Sequence, residues 1–345
     1  MLRAGISAIE FYLPEGKLTN DHLASEFPEW SVEKIEQKTG IAERRIAGPQ
    51  ECSSDLGIAA AGKLFATGLC SPQQIDYLLL CTQSPDYFLP TTACIIQDRL
   101  GLPRTCGAMD FNLGCSGYVY GLGLAKGLIE TGQARNVLLI TAETYSKFIH
   151  PRDKSVRTIF GDAAAATLVE GLDLDSFHSE DLIGPFVYGT DGRGAQNLIV
   201  PTGGMRQPNS AGLGEEELDD QGNLRSPCNL YMNGAEIFAF TLAEVPSCVE
   251  ALLQRSGRKI EDIDLFVFHQ ANRYMLEHLR KKMKLPEEKF CITLRQCGNT
   301  VSSTIPIALW HAAQERRLKP GQLVMLVGFG VGYSWGATLV RWIAG

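Results

Sequence analysis

The sequence predicts a layered α/β protein built from two halves of like topology. Three observations carry this reading. Apolar runs of strand length alternate with longer segments of helical character. Those runs are nearly continuous instead of alternating, as expected of strands buried on both faces. The chain also repeats itself. IDYLLLCTQS (75–84) resembles IDLFVFHQAN (263–272) at an offset of 188, and NVLLITAET (136–144) resembles LVMLVGFGV (323–331) at an offset of 187. AATLVE (165–170) pairs more loosely with GATLVRW (336–342). Internal repetition constrains the whole fold and not one motif.

Taken in order, MLRAGISAIEFYLPEGK mixes short apolar runs with polar and charged residues and lacks the unbroken apolar core of a signal peptide. Strands are expected at YLLLC (77–81), NVLLITA (136–142), AAATLV (164–169), LFVFH (265–269), LVMLVGF (323–329) and ATLVRW (337–342). Each half carries a strand-turn-helix unit ahead of its second match: DFNLGCSGYVYGLGLAKGLIETG and ITLRQCGNTVSSTIPIALWHAAQ. The first of these predicts a helix from Ser116 to about Thr131, closed by Gly132. The halves divide as 1–171 and 172–345. Residues 201–229, rich in Gly, Pro, Asn and acids, read as an excursion that is either a solvated loop or a lid.

Composition narrows the function classes. A chain of 345 residues, 45% hydrophobic and 21% charged, holds a sizeable core and about two domains. The net charge of −7 argues against nucleic acid as the main partner. No apolar run approaches the roughly 18 residues of a membrane span. The ten cysteines include no C-x-x-C pair, which argues against a zinc site, and several, such as Cys81, lie inside apolar runs as small hydrophobes. A reducing cytoplasm, no disulfides and no metal are expected.

Three residues stand out chemically. Cys115, in DFNLGCSG, falls where a helix begins, and the positive end of a helix dipole favours a thiolate. Gly114 and Gly117 beside it leave room for a substrate and free the backbone for a sharp turn. His269 closes a buried strand, at the end where α/β folds place sites. Asn299 sits in the turn CGNT before a helix. Alone, the histidine reads as structural and the asparagine as turn chemistry. If the halves pack with like ends together, the three converge as a nucleophile and two polar groups.

DFNLGCSG, FHQAN and CGNTVSSTIPIAL together resemble the thiolase superfamily and, within it, the β-ketoacyl-acyl-carrier-protein synthase III family. The resemblance runs from KTGIAERRI (38–46) through FGDAAAA (160–166) to GFGVGYSWGATLVRW (328–342). It implies a thiolase-like duplicated αβαβα fold, a homodimer, and a decarboxylative condensation that joins an acyl primer to a malonyl thioester. Acyl-coenzyme A or acyl-carrier-protein thioesters would be the substrates, with no metal or redox cofactor. Cys115 would carry the acyl group, while its backbone N–H and that of Val331 form the oxyanion hole. Val331 departs from the GGG of many relatives. His269 and Asn299 would stabilise the enolate left by loss of CO₂. A non-decarboxylating acyltransferase and an inactive partner subunit are the rival readings.

The resemblance also assigns binding residues. In NRYMLEHLRKKMK (272–284), Arg273, Arg280 and Lys284 share a helix face opposite Met275, Leu276, Leu279 and Met283. Such a stripe is either a solvated face or, as the family implies, a docking face for an acidic acyl carrier protein, with Asn272 at its start. Lys38 and Lys154 stand where relatives hold arginines against the coenzyme A nucleotide, and Trp30 is placed to stack on it. Lysine cannot reproduce the planar stacking of arginine, which favours a carrier-bound primer. Leu89, in YFLPTT, would line the acyl pocket of the partner subunit.

Overall fold

Residues 2–173, 181–209 and 214–344 are described by the structure, a computed structural model. Strands β1 (Leu2–Tyr12), β2 (Tyr77–Cys81), β3 (Gly107–Phe111), β4 (Asn136–Glu143) and β5 (Ala163–Asp173) form one sheet in the order β1-β5-β4-β2-β3. Strands β6 (Ile183–Thr190), β7 (Leu265–Phe268), β8 (Leu323–Gly330) and β9 (Ser334–Arg341) form a second, ordered β7-β8-β9-β6. In the first sheet β2 is parallel to β4, which is antiparallel to β5, which is antiparallel to β1. In the second, β7, β8, β9 and β6 follow the same pattern. The segments that match in sequence therefore occupy equivalent strands: β2 with β7, and β4 with β8.

The layers follow from strand periodicity, since neighbouring side chains leave a strand on opposite faces. Helices α1 (Ser53–Ala66), α2 (Gly117–Glu130), α3 (Gly234–Ser256), α4 (Arg273–Lys282) and α5 (Thr304–Gln314) fill the layers between and outside the sheets. Leu79, Val137 and Leu139 of one sheet and Val267, Val324 and Leu326 of the other bury α2 and α5 between them. The alternate residues Leu78, Leu80, Leu138 and Ile140 pack outward on α1. Phe266, Phe268, Met325 and Val327 pack outward on α3 and α4. This is a five-layer αβαβα arrangement, and it explains why the strands read as continuous apolar runs.

Three strands of the two large sheets escape the sequence reading, and one of them, the edge strand β6, is fully buried only at Ile183 and Gly184. β1 is an edge strand of 11 residues with a bulge between Ile6 and Ala8, which breaks its periodicity. All five residues of β3 are only half-buried, so it makes no continuous apolar run. His269 lies just past β7 instead of within it. The 201–229 excursion contains a small hairpin, Glu217–Leu218 with Leu224–Arg225, and its residues 210–213 lie outside the described ones. The Leu224 N–H donates to the Arg152 carbonyl (3.3 Å), which lays the hairpin against the chain leading to Lys154.

Candidate active site

Cys115, His269 and Asn299 line one cavity of about 150 Å³, with Phe160, Leu198 and Phe329 among its apolar walls. Each arrives from a different element. Cys115 lies in the turn from β3 to α2. Ser116 caps the helix, so Cys115 precedes the cap and does not sit in the first turn. Ser116 Oγ lies 2.7 Å from Ser334 Oγ, and Ser334 in turn donates to the Val331 carbonyl (3.0 Å). The Ser334 proton being used, Ser116 is the donor between the two hydroxyls. This links the Cys115 turn to the turn bearing Val331.

The glycines flanking Cys115 have a packing role in place of the substrate-access role expected. A Cβ on Gly117 would lie 2.2 Å from Cys81 Sγ. One on Gly114 would meet Gln83 Oε1 at 2.5 Å and Val331 Cγ1 at 2.9 Å. Neither glycine has a positive φ. The glycine that borders the Cys115 sulfur is Gly330, where a Cβ would lie 3.0 Å from Sγ.

Burial also overturns the expected thiolate. It pushes the Cys115 thiol well above its usual range, and the Glu143 carboxylate adds to the effect. In this apolar cavity desolvation outweighs the lowering effect of the backbone hydrogen bond at Cys115. Burial likewise drives His269 down to about 3, so the imidazole is neutral at any physiological pH. Its Nδ1 lies 2.8 Å from Thr304 Oγ1, which is itself 3.1 Å from the Val301 carbonyl. The single hydroxyl proton serves one of these neighbours at a time. Directed at Val301, it leaves Thr304 accepting from Nδ1–H and Nε2 with a lone pair. Directed at Nδ1, it leaves Nε2–H as a donor.

Asn299 is clamped at both ends. Its N–H donates to the Ile159 carbonyl (2.9 Å), and its carbonyl accepts from Gly161 N–H (3.0 Å). Its Oδ1 accepts from Val301 N–H (2.9 Å), which leaves the side-chain NH₂ for the cavity. The preceding Gly298 has φ 74°, and a Cβ there would meet the Ile159 carbonyl at 2.8 Å, so only glycine fits this turn.

Two supporting residues are not evident from the motifs. Glu143, at the end of β4, accepts from Ser302 Oγ (2.8 Å), Gln83 N–H (3.1 Å) and Ser84 Oγ (3.1 Å), and burial pushes its carboxyl up to about 8 against those donors. The sequence signal is a lone acid closing an apolar run. Arg44 is fully buried; it donates from Nε to the Thr158 carbonyl (2.9 Å) and from Nη1 to Asn20, and burial lowers it to about 9. It anchors the backbone just before Ile159, on which Asn299 hangs.

The predicted binding residues are more scattered. Asn272 lines the Cys115 cavity and caps α4 by accepting from Met275 N–H (2.8 Å). Val331 lines a neighbouring cavity of about 310 Å³ with Gln83, Tyr145 and Phe148, and Leu198 lies on the wall of both. Leu89 is 87% exposed on an apolar loop with Tyr87 and Phe88. Trp30 carries Lys38 Nζ 5.0 Å from its ring centroid, while Lys154 pairs with Glu29 at 2.6 Å. The basic stripe needs correction. Arg280 turns inward to Glu277 (2.8 Å) and Glu287 (3.2 Å). Lys284 lies beyond the end of α4 at φ 55°, because Pro286 and the Leu285 N–H bond back to the Arg280 carbonyl (2.9 Å) stop the helix. Arg273 alone remains as an exposed cation of the trio within the helix.

Two family models match the chain: 3-oxoacyl-(acyl-carrier-protein) synthase III over residues 109–192, and the C-terminal model of the same name over 253–342. The β-ketoacyl-(acyl-carrier-protein) synthase III of Caldanaerobacter subterraneus subsp. tengcongensis is 37% identical over 99% of this chain and 98% of its own. A crystal structure of a 3-oxoacyl-(acyl-carrier-protein) synthase III aligns with TM-score 0.96 at 57% identity, covering 99% of this chain and all of that one. A 3-oxoacyl-(acyl-carrier protein) synthase from Burkholderia xenovorans LB400 aligns with TM-score 0.89 at 38% identity over 99% of this chain and 94% of that one. With full-length identity at this level, an αβαβα fold, and Cys115, His269 and Asn299 on one cavity, the chain belongs to the β-ketoacyl-acyl-carrier-protein synthase III family.

Proposed function

We propose that the protein condenses an acyl thioester primer with malonyl-acyl carrier protein, releasing CO₂ and a β-ketoacyl thioester two carbons longer. The observation that carries this is the convergence of a buried thiol, an imidazole and a free carboxamide NH₂ on one cavity. In the first half-reaction Cys115 gives its proton to His269 Nε2 while Thr304 accepts from Nδ1–H. The sulfur attacks the primer carbonyl, and the departing thiolate takes the proton from His269. Because thiol and imidazole both favour their neutral forms here, the charged pair exists only with the substrate in place. The Cys115 and Val331 N–H groups, which find no protein acceptor among the described residues, are the donors to the oxyanion.

In the second half-reaction the malonyl C–C bond to the carboxylate breaks. Its electron pair passes into an enolate, whose oxygen accepts from Asn299 NH₂ and from His269 in its Nε2–H form. The enolate carbon attacks acyl-Cys115, and collapse of the oxyanion expels the Cys115 sulfur as a thiolate, which takes from solvent the one proton that the overall reaction consumes. These steps require no metal or redox cofactor. We further propose a cytoplasmic homodimer in which Leu89 enters the partner's acyl pocket, a role its exposure suits. Residues 1–171 and 172–345 serve as its duplicated halves. Among the described residues no helix is long and apolar enough to cross a membrane.

A pulse of labelled acyl thioester followed by peptide mapping, then a chase with carboxyl-labelled malonyl-acyl carrier protein, tests the scheme. The expected result is label on Cys115 and stoichiometric CO₂ with a product extended by two carbons. Acylation of another cysteine with Cys115 unmodified, or turnover without CO₂, would sink it.

A further inference from the structure

We infer that Val301 is a positioning residue: its left-handed backbone aims both polar groups of the site, Asn299 and His269, and the first sheet holds it in that conformation. The inference rests on the function proposed above and adds a residue to its machinery. Three residues other than glycine have a positive φ in the described chain. Lys284 and Arg316 are exposed and follow helix ends, where such a turn is readily adopted. Val301 is different. Its φ is 55°, it is buried, and its branched Cβ makes the left-handed region costly. The preceding residue carries a second anomaly. Thr300 Oγ1 is buried and finds no hydrogen-bond partner among the described residues. Two outliers on adjacent residues, between Asn299 and Thr304, mark a backbone held against its own preference.

The strained turn delivers a pair of bonds. The Val301 N–H donates to Asn299 Oδ1 (2.9 Å), which leaves the carboxamide NH₂ for the cavity. The Val301 carbonyl accepts from the Thr304 hydroxyl (3.1 Å), and Thr304 Oγ1 lies 2.8 Å from His269 Nδ1. That carbonyl makes the base form of His269 available, because it takes the Thr304 proton and lets Thr304 accept from Nδ1–H. The φ of Val301 fixes the direction of its N–H relative to its carbonyl. Relaxation to the negative φ that valine prefers swings one of the two groups off its partner.

The clamp comes from the other half of the chain. Ser302 Oγ donates to Glu143 (2.8 Å), the last residue of β4. Ser303 Oγ lies 2.9 Å from Thr141 Oγ1 and 3.2 Å from the Thr141 carbonyl, on the same strand. Two successive hydroxyls thus tie the residues after Val301 to β4. On the other side, the bonds of Asn299 to Ile159 and Gly161 fix the residues before it. Val301 is therefore pinned at both ends, and these bonds offset the strain of its φ.

Ser302 lines neither cavity, so Ser302→Ala loosens the clamp without touching the walls. It should slow CO₂ release from malonyl-acyl carrier protein by about tenfold and slow Cys115 acylation as well. ¹⁵N spectra of the imidazole should move toward the Nε2–H tautomer, because Thr304 is left to donate to Nδ1. Glycine adopts φ 55° without strain and needs no clamp. With Val301→Gly already in place, Ser302→Ala should therefore slow CO₂ release by less than about threefold. Thermal unfolding of each variant separates loss of fold from loss of aim. A folded Ser302→Ala variant with wild-type rates and tautomer overturns the inference. So does the same loss from Ser302→Ala with and without Val301→Gly. If Val301→Gly does not fold, the imidazole spectrum of Ser302→Ala decides alone, and an unchanged tautomer overturns the inference. Failure of the unaltered protein to acylate Cys115 or to release CO₂ is a different result, and it overturns the proposed function itself.

Discussion

Cys81 closes β2 and His269 follows β7, at equivalent places in two sheets of the same order, and the two side chains do different work. Cys81 is fully buried; its Sγ donates to the Leu113 carbonyl (2.9 Å) and fills the space under Gly117. His269 opens onto the cavity. The next pair of equivalent ends repeats the contrast. Glu143 at the end of β4 is buried among three donors, while Gly330 at the end of β8 presses against Cys115. The rim of the first sheet thus buttresses the turn that carries Cys115, and the rim of the second faces the cavity. Duplication supplies two like rims; which one becomes chemical depends on where the helix-start turn places its cysteine.

The largest test of this contrast is to exchange roles at the two cysteines. Cys115→Ala should abolish the acyl-enzyme in intact-mass measurements. Cys81→Ala should keep acylation within about tenfold while removing roughly 1–2 kcal/mol of stability, read by thermal unfolding. Acyl label on Cys81 would erase the distinction. The next effect down is at Asn299. Asn299→Ala removes one preorganised donor and should slow CO₂ release by about 10²–10³, with acylation of Cys115 near normal. Equal loss in both half-reactions would assign Asn299 a structural role instead.

Thr304→Val should act through His269 and lower turnover by about tenfold, less than the 10²–10⁴ that acid–base catalysis contributes. Thr304→Ser should restore it, and ¹⁵N spectra of the imidazole should report a changed tautomer in the valine variant only. The smallest effect is expected at Glu143. Removing its charge with Glu143→Gln should shift the pH dependence of Cys115 alkylation to lower pH, since the carboxylate helps to hold the thiol up. Asp162, whose own carboxyl is raised by burial, faces the same network and keeps its charge effect in the variant. Glu143 is raised in the fold from the usual 4.5 to about 8, so its contribution to stability is complete below 4.5 and lost as pH rises toward 8. The Glu143→Gln variant should lose less stability than wild type across that window. His269 runs the other way: its contribution is present above its ordinary value of 6.5 and is lost as pH falls toward 3.

What was legible in the sequence follows the same division. Strands buried on both faces announce themselves as apolar runs, so β2 was bounded to the residue and β4, β7 and β8 to within one. Edge strands β1, β3 and β6 did not, because the first is bulged and the other two are only partly buried. Cys115, His269 and Asn299, which meet on one cavity, stood out because their turns carry distinctive neighbours. Glu143 and Arg44 were not, since what makes them matter is burial against residues far away in sequence, which no local pattern encodes. The protonation of Cys115 was misread for a related reason. The helix start is local, but the desolvation that overrides it comes from walls contributed by both halves.

The close approach of Gly330 has a bearing on inhibitor design. A thiol-directed compound reaching Cys115 meets a wall on which even alanine would put a methyl 3.0 Å from the sulfur and 2.8 Å from the Cys115 Cβ. Substitution at that position crowds the Cys115 sulfur as much as the compound. At Gly330 itself, therefore, no larger side chain can be accepted unless Cys115 moves. A warhead small enough to rest on Gly330 alone offers resistance no foothold at the reacting centre.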